Sequence, residues 1–253
     1  MPTFTTGKST KVYVDEYDMS SYLNQSDVSF TNEVVDTSAY GATARSFLPS
    51  QETGTLSLAG MYDAVTGAGS SDQEFEAILG AAVTPVVTVA LEGGTIGNRA
   101  MLARANSTSY TLASPVADLN SVTVDLQCCS DVTNNVTKGL ASGVQLTTGA
   151  SIAFGSLGNL ASVDNTTSSA NGGMAILHAT ANTVDATTTV KVQHSTDDAV
   201  WADLLTFTGV SASTLASQVS AVTGTVNRYL RVTASAAGST TGAITFMVSF
   251  ARF

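Results

Sequence analysis

The residue types of a hydrolase triad occur close together in one segment, at His194, Ser195, Asp197 and Asp198. A triad needs a nucleophile, a base and an orienting acid that converge on one point. The alternation around these residues predicts a strand, and neighbours along a strand point to opposite faces. They cannot form a triad by themselves, and His194 falls on the apolar face as a half-buried core residue. No other convergent set is visible, so we expect no enzyme and no catalytic residue.

The sequence also offers few residues that could bind a metal or a cofactor. Asp197 and Asp198 offer carboxylates for calcium, which takes about six to eight oxygen ligands from a suitable loop, and an exposed acidic turn is the favoured alternative. His178 and His194 are too few for a zinc enzyme. The Gly-Ala-Gly segment at 67–69 lacks the lysine and hydroxyl residue of a phosphate loop. The sequence therefore predicts no metal and no cofactor.

The only cysteines, Cys128 and Cys129, are adjacent. Adjacent cysteines cannot supply a disulfide framework or a tetrahedral zinc site within one chain. Cys128 lies on the apolar side of a predicted strand and is interpreted as a small core residue. Cys129 lies on the polar side, where a free thiol and buried packing both stay open, as does the redox state of the pair.

Charge is scarce and unevenly distributed along the 253 residues, with a net charge of −10 and 12% charged residues. Residues 1–136 contain fifteen acidic and five basic residues, whereas residues 137–253 contain five of each. A surface that grips nucleic acid needs clustered lysine and arginine, so tight DNA binding is not expected. The acidity indicates either a solvated surface or one past which a polyanion moves. The longest apolar stretch, 78–91, is too short for a membrane helix, and no membrane binding is expected.

Alternation of apolar and polar residues runs through most of the chain and is clearest at 121–129. Three polar side chains share one face there: Thr123, Asp125 and Gln127. The last such segment places four apolar residues on one face against Thr245, Met247 and Ser249: Ile244, Phe246, Val248 and Phe250. Short strands of period two joined by Ser, Thr and Gly turns predict a mainly β protein with a β-sandwich or barrel architecture.

One segment breaks the period of two. Ser71 and Glu74 fit a capping box, apolar residues follow at helical spacing, and Gly80 offers a left-handed stop. The pattern predicts one short α-helix over about 72–79, packed on a sheet.

The long segment 32–54 between two predicted strands mixes aromatic residues with Gly, Ser and Thr, and predicts an extended hairpin arm. The polar stretch 137–143 is typical of a linker. We therefore expect a first β domain over 1–136 and a second β-sandwich over 144–253.

The order of these features resembles that of the major tail tube proteins of long-tailed, non-contractile bacteriophages. The resemblance covers about the first 136 residues, in five features: the opening strand at 11–17, the arm at 32–54, the strand at 52–58, the helix at 72–79 and the closing strand at 121–129. Residues 172–235 look like an added domain that is common on such proteins. This resemblance is based on the short sequence segments 192–195, 201–204 and 227–231.

The resemblance implies a virion structural protein that forms hexameric rings, stacked into the tail tube that conducts DNA during ejection. In that family the inner sheets of all subunits join into a barrel that lines the lumen. The implied partners are further copies of the chain, a tape-measure protein and a tail terminator protein. The implied location is the virion tail, after synthesis in the cytoplasm of the host bacterium.

The resemblance also implies roles for two groups of residues. Four residues of the arm are expected to dock one ring on the next: Asp36, Tyr40, Arg45 and Phe47. Three residues of the closing strand are expected to face the lumen, with a position on the solvated outside as the alternative for the same face: Thr123, Asp125 and Gln127. An acidic lumen repels phosphates and lets DNA slide, which agrees with the acidity of the first half.

Two other functions stay open at this point. A capsid decoration protein, or another virion structural protein, has the same β-rich composition without a catalytic set. A carbohydrate-binding adhesive module could stack Trp201 and Tyr229 on sugar rings, although sandwich cores use the same residue types.

Overall fold

The computed structural model describes residues 6–41, 43–63, 65, 67, 69–131, 135–239 and 241–253. Within them the chain is mainly β, with antiparallel sheets, one α-helix and no closed barrel, so the predicted β-sandwich class is confirmed. After a 3-10 turn at Gly7–Ser9, the first half contains these elements: β1 (Lys11–Val14), β2 (Tyr17–Asp18), β3 (Leu23–Asp36), β4 (Phe47–Met61), α1 (Ser71–Ile78), β5 (Val86–Ala90), β6 (Arg99–Ala113) and β7 (Ser121–Cys128).

The second half consists of shorter strands and a second 3-10 turn at Phe154–Ser156. Its strands are these: β8 (Leu140–Gln145), β9 (Ser151–Ala153), β10 (Val163–Asp164), β11 (Gly173–Asn182), β12 (Thr189–Ser195), β13 (Ala202–Thr206), β14 (Ala216–Val222), β15 (Tyr229–Ser235) and β16 (Ala243–Arg252).

The larger sheet joins strands of both halves in the order β14-β11-β16-β8-β6-β5-β1-β2, with β9 on β16. β6 pairs with three strands: its residues 99–103 with β8, its residues 101–104 with β5, and its residues 105–113 with β7. From β7 the pairing continues to β4 and then β3. We call β3, β4, β7 and residues 105–113 of β6 the hairpin sheet. A separate sheet has the order β10-β15-β12-β13.

Two apolar cores follow from this arrangement. The first lies between the hairpin sheet and β1, β5 and β6, and α1 contributes Phe75 and Ile78 to it. The buried face of β7 supplies Val122, Val124 and Leu126, as its alternation predicts. The second core lies between the β10-β15-β12-β13 sheet and the strands β11 and β16, and includes Phe246 and Phe250.

The larger sheet curls, so that its two ends approach each other. β11 lies against β2 and β14 against β5, and a third apolar cluster from both halves fills the space inside the curl. For this reason β16 is buried on both faces, with Met247 and Ser249 fully buried. The sequence predicted a polar outer face for that strand. Its period of two could not show that a second layer covers it.

The side chain of His178 on β11 contacts residues from the other end of the curled sheet. Its ring is fully buried, bonds through Nδ1 to the carbonyl oxygen of Asp15, and lies 2.8 Å through Nε2 from the hydroxyl of Thr88. Tyr13 stacks on it with ring centroids 5.5 Å apart. Burial lowers the pKa of His178 to about 4, so the imidazole is neutral at pH 7. The histidine that a metal site could have used is thus a hydrogen-bonded core residue.

We expect His178→Leu to lower the free energy of unfolding by about 2–4 kcal/mol, because it leaves two buried partners unpaired. Urea unfolding followed by circular dichroism measures the change. Adding Thr88→Val removes one orphaned hydroxyl, and should recover part of the loss. A His178→Leu variant as stable as the parent would show that these bonds do not hold the curl together.

The helix lies one residue earlier than predicted, at Ser71–Ile78, and its predicted capping box is wrong. Ser70 is the N-cap and makes no side-chain cap bond. The hydroxyl of Ser71 instead donates to the carbonyl oxygen of Met61 at 2.9 Å, and Glu74 accepts from the backbone N–H of Gly69 at 2.7 Å. The sequence signature correctly predicted a helix start. The Ser71 hydroxyl does not cap the helix, because it is hydrogen-bonded to the end of β4. Gly80 has φ +70°, the left-handed stop that was predicted.

Two further segments differ from their predicted form. The opening strand at 11–17 is a tight hairpin of β1 and β2, in which Val14 pairs with Tyr17 and Asp15 has φ 47°. The predicted linker at 137–143 overlaps β8, which fills the position between β6 and β16. Polar and small residues formed a strand there because neighbours on both sides complete its hydrogen bonds. The division into a first and a second folding unit stays a prediction.

Candidate assembly surfaces

One face of the hairpin sheet packs on the first core, and the other is turned to solvent. Its outward side chains are mostly short and polar, and all are exposed or half-exposed: Gln25, Asp27, Ser29, Thr53, Thr55, Ser57, Ser109, Thr111, Thr123, Asp125 and Gln127. The four strand segments contain no lysine and no arginine. We call this surface the polar face.

A cross-strand row with two carboxylates runs through the centre of the polar face. Asp27, Ser57, Asp125 and Ser109 lie opposite one another on four adjacent strands. The carboxylate of Asp125 accepts from the hydroxyls of Ser57 and Ser109, both at 2.7 Å. These hydrogen bonds lower the pKa of Asp125, so the row is negatively charged at neutral pH.

The other two residues expected in the lumen lie beside Asp125 on the same face. Gln127 donates through Nε2 to the hydroxyl of Thr53 at 2.6 Å and to the carbonyl oxygen of Gly54 at 3.0 Å. Thr123 lies between Ala59 and Thr111 in the register. The structure therefore groups Thr123, Asp125 and Gln127 on one polar face. Sequence reasoning missed Asp27, which the parity of β3 relative to Val28 could have placed there.

Both edges of the hairpin sheet are open among the described residues. β3 pairs only with β4, which leaves the outer edge of a 14-residue strand unpaired. At the opposite edge, a single bridge from Leu79 to Ser107 meets the C-terminal half of β6. Unpaired strand edges bind further strands readily, so each copy offers two sites for edge-to-edge pairing.

The arm is the outer part of one long hairpin. β3 and β4 pair from Leu23 and Gly60 at the body to Asp36 and Phe47 at the far end. Beyond the pair of Asn32 and Glu52, every described strand residue is exposed. Five apolar residues of this outer part are exposed to solvent: Val34, Val35, Tyr40, Phe47 and Leu48. Because Val34 and Val35 point to opposite faces, the arm is apolar on both.

The arm tip is held by local polar contacts. The backbone N–H of Thr37 donates to the carbonyl oxygen of Ser46 at 2.8 Å. The carboxylate of Asp36 accepts from the backbone N–H of Ser38 at 2.9 Å, and the Ser38 side chain and backbone lower its pKa. Asp36 and Phe47 are a cross-strand pair, and Tyr40 and Arg45 lie exposed in the connection between the strands. The four residues expected in the arm are thus all exposed near its tip.

The residues with triad chemistry do not converge. His194 accepts at Nδ1 from the backbone N–H of Asn227 at 3.2 Å, whereas the hydroxyl of Ser195 donates to Asp197 at 2.9 Å. Asp197 and Asp198 lie in the exposed turn between β12 and β13, as the alternative to a calcium site predicted. His194 is half-buried as expected, whereas its neighbour Ser195 is fully buried.

Both cysteines are free and half-buried. Cys128 packs at the margin of the first core, and burial raises the pKa of its thiol to about 12. Arg104 donates to the sulfur of Cys129 at 3.3 Å and to the carbonyl oxygen of Ser130. Among the described residues, no group of three or more His, Cys, Asp or Glu side chains is arranged to hold a metal ion. The described helices include none that is long and apolar enough to span a membrane.

No protein-family model matches this chain, and no curated protein matches it. Among solved structures, it is similar to a chain from the virion of a native gene transfer agent particle, with 17% identity and a TM-score of 0.39, over 51% of this chain and 96% of that chain. A chain of the anti-feeding prophage baseplate gives 17% identity and a TM-score of 0.39, over 50% of this chain and 92% of that chain. The Dit protein of SPP1 gives 12% identity and a TM-score of 0.36, over 96% and 99%. At such low values these similarities carry no argument about function.

Proposed function

We propose that this chain is a virion structural protein that forms hexameric rings, stacked into the tail tube of a long-tailed bacteriophage. The observation that carries the proposal is the polar face: broad, acidic, free of lysine and arginine, and bounded by two open strand edges. Edge-to-edge pairing of β3 with the β6 segment of the next copy would join six hairpin sheets into one continuous wall around a lumen.

The chemistry of this face suits the passage of DNA. Binding to DNA gains its free energy from cations that replace the condensed counterions of the phosphates. A wall with Asp27 and Asp125 in every copy offers no such cations, and short hydroxyl side chains leave a smooth surface. DNA would slide through without being held.

The arm suits contact between rings. Its exposed apolar residues lie on both faces, as expected for a segment that becomes buried between neighbours. In the proposed tube the arm leaves its own ring and docks on the next through Tyr40, Phe47 and the charged residues Asp36 and Arg45. The second sandwich, over 144–253, lies on the outside of the wall. A tape-measure protein and a tail terminator protein would set the length of the tube.

A capsid decoration protein would need neither the arm nor the cation-free face. For the carbohydrate-binding alternative, Trp201 has one ring face already covered, because the guanidinium of Arg231 lies 4.2 Å from its ring centroid. Tyr229 is covered in the same way by Arg228 at 4.8 Å. At both positions a contact within the chain therefore occupies one of the two ring faces that a sugar could stack on.

Negative-stain microscopy of the purified chain at increasing concentration tests the proposal. We expect rings at moderate concentration and tubes at high concentration. If the purified chain stays monomeric or forms only trimers, a decoration protein is favoured instead.

A further inference from the structure

The hairpin sheet has two poles. At one pole Asp36 pairs with Phe47, and the arm continues away from the body. At the opposite pole Ser121 lies between Met61 and Ala113 in the register. The connection from β6 to β7, residues 114–120, projects from that second pole. Arm and connection therefore extend from the same sheet in opposite directions.

The second pole is apolar and exposed. Leu112 is 53% exposed, Leu119 is 69% exposed, and Met61 and Val116 are also open to solvent. We call Met61, Leu112 and residues 114–120 the hairpin end. Apolar residues that cluster at the surface mark contact sites, and a protein that stacks needs such a site at the pole opposite its arm.

Each pole has one charge that an opposite charge at the other pole can match. Arg45 is the only basic residue between Leu23 and Met61, and it lies at the arm tip. Asp118 is the only charged residue in 112–120, and it is exposed. The arm tip thus presents apolar side chains together with Arg45 and Asp36, and the second pole presents apolar side chains together with Asp118. Arg45 and Asp118 are the two groups of opposite sign that can pair between copies.

We infer that the hairpin end is the surface that receives the arm of a copy in the adjacent ring, with Arg45 facing Asp118. This inference rests on the proposed function and names the second half of its ring-to-ring contact. An arm at one pole and its receiving surface at the other form a head-to-tail interface. Such an interface repeats without closing, and generates an open stack instead of a closed pair.

A charge exchange tests the pairing of the two poles. Arg45→Glu and Asp118→Arg should each raise the critical concentration for polymerisation about tenfold, because each sets like charges against each other. The double variant restores opposite signs, and should return to within about threefold of the parent. Sedimentation of tubes across a concentration series gives the values. Asp198→Arg, an exposed reversal in the second half, is the matched control and should change nothing.

A second set of variants tests the apolar contact without altering charge. Val116→Ser combined with Leu119→Ser should also raise the critical concentration about tenfold, whereas Val200→Ser, equally exposed in the second half, should not. If the parent forms tubes and these variants match it, or the charge exchange fails to restore assembly, the inference is overturned while the proposed function stands. A parent chain that never polymerises contradicts both.

Discussion

Removal of the arm is expected to abolish polymerisation and leave a folded monomer. The change replaces residues 33–51 with Asn-Gly, so that the paired residues Asn32 and Glu52 flank a two-residue hairpin turn. The described side chains removed are all exposed, so the two cores keep their contacts. The deletion takes away the apolar arm surface, which in the proposed tube is buried in every ring-to-ring contact. We expect the critical concentration to rise at least about a hundredfold, since several apolar side chains per copy lose their burial.

Sedimentation and electron microscopy measure the loss of tubes, and thermal unfolding by circular dichroism shows whether the body is intact. A matched control shortens another exposed turn, Asp197-Asp198 between β12 and β13, and should assemble normally. Tubes of normal length from the arm deletion would show that the arm has no docking role.

Replacing the two carboxylates of the polar face with lysines is expected to make the lumen bind DNA and slow its passage. Asp27→Lys with Asp125→Lys places two cations per copy where the proposed lumen has two anions. Both side chains are exposed, so the fold should lose at most about 1 kcal/mol of stability. Lysines that contact phosphates release counterions, and this attraction weakens steeply as salt increases.

The measurement is the rate of DNA ejection from particles assembled with the variant chain. We expect ejection to slow about tenfold or more at low salt and to approach the parent rate at high salt. Asp198→Lys, on the exposed turn of the second half, is the control and should leave ejection unchanged. Equal ejection rates for the double variant and the parent at every salt concentration would remove Asp27 and Asp125 from the lumen.

The alternation and spacing of apolar residues predicted the elements that pack against the rest of the fold on one side only. The alternation at 121–129 gave both faces of β7, because that strand has a core on one side and solvent on the other. Apolar spacing after Ser71 gave the helix to within one residue. The same parity grouped Thr123, Asp125 and Gln127 on the polar face.

Long-range pairing could not be predicted from these patterns. The insertion of β8 between β6 and β16 joins strands of both halves into one sheet, although the Gly- and Ser-containing stretch 137–143 predicted a linker. The burial of His178 and Met247 depends on the curl of that sheet, which brings β11 against β2. Parity along β3 could place Asp27 on the outward face, but its position directly opposite Ser57 in the carboxylate row depends on the register of β3 and β4.

A helical reconstruction of tubes grown from the purified chain is the most direct test of the central claim. We expect six-fold rings in which β3 of one copy pairs with β6 of the next and the polar face forms the inner wall. Asp27 and Asp125 should then point towards the tube axis. A reconstruction that places Asp125 on the outer wall would contradict the claim, as would a chain that forms neither rings nor tubes at any concentration.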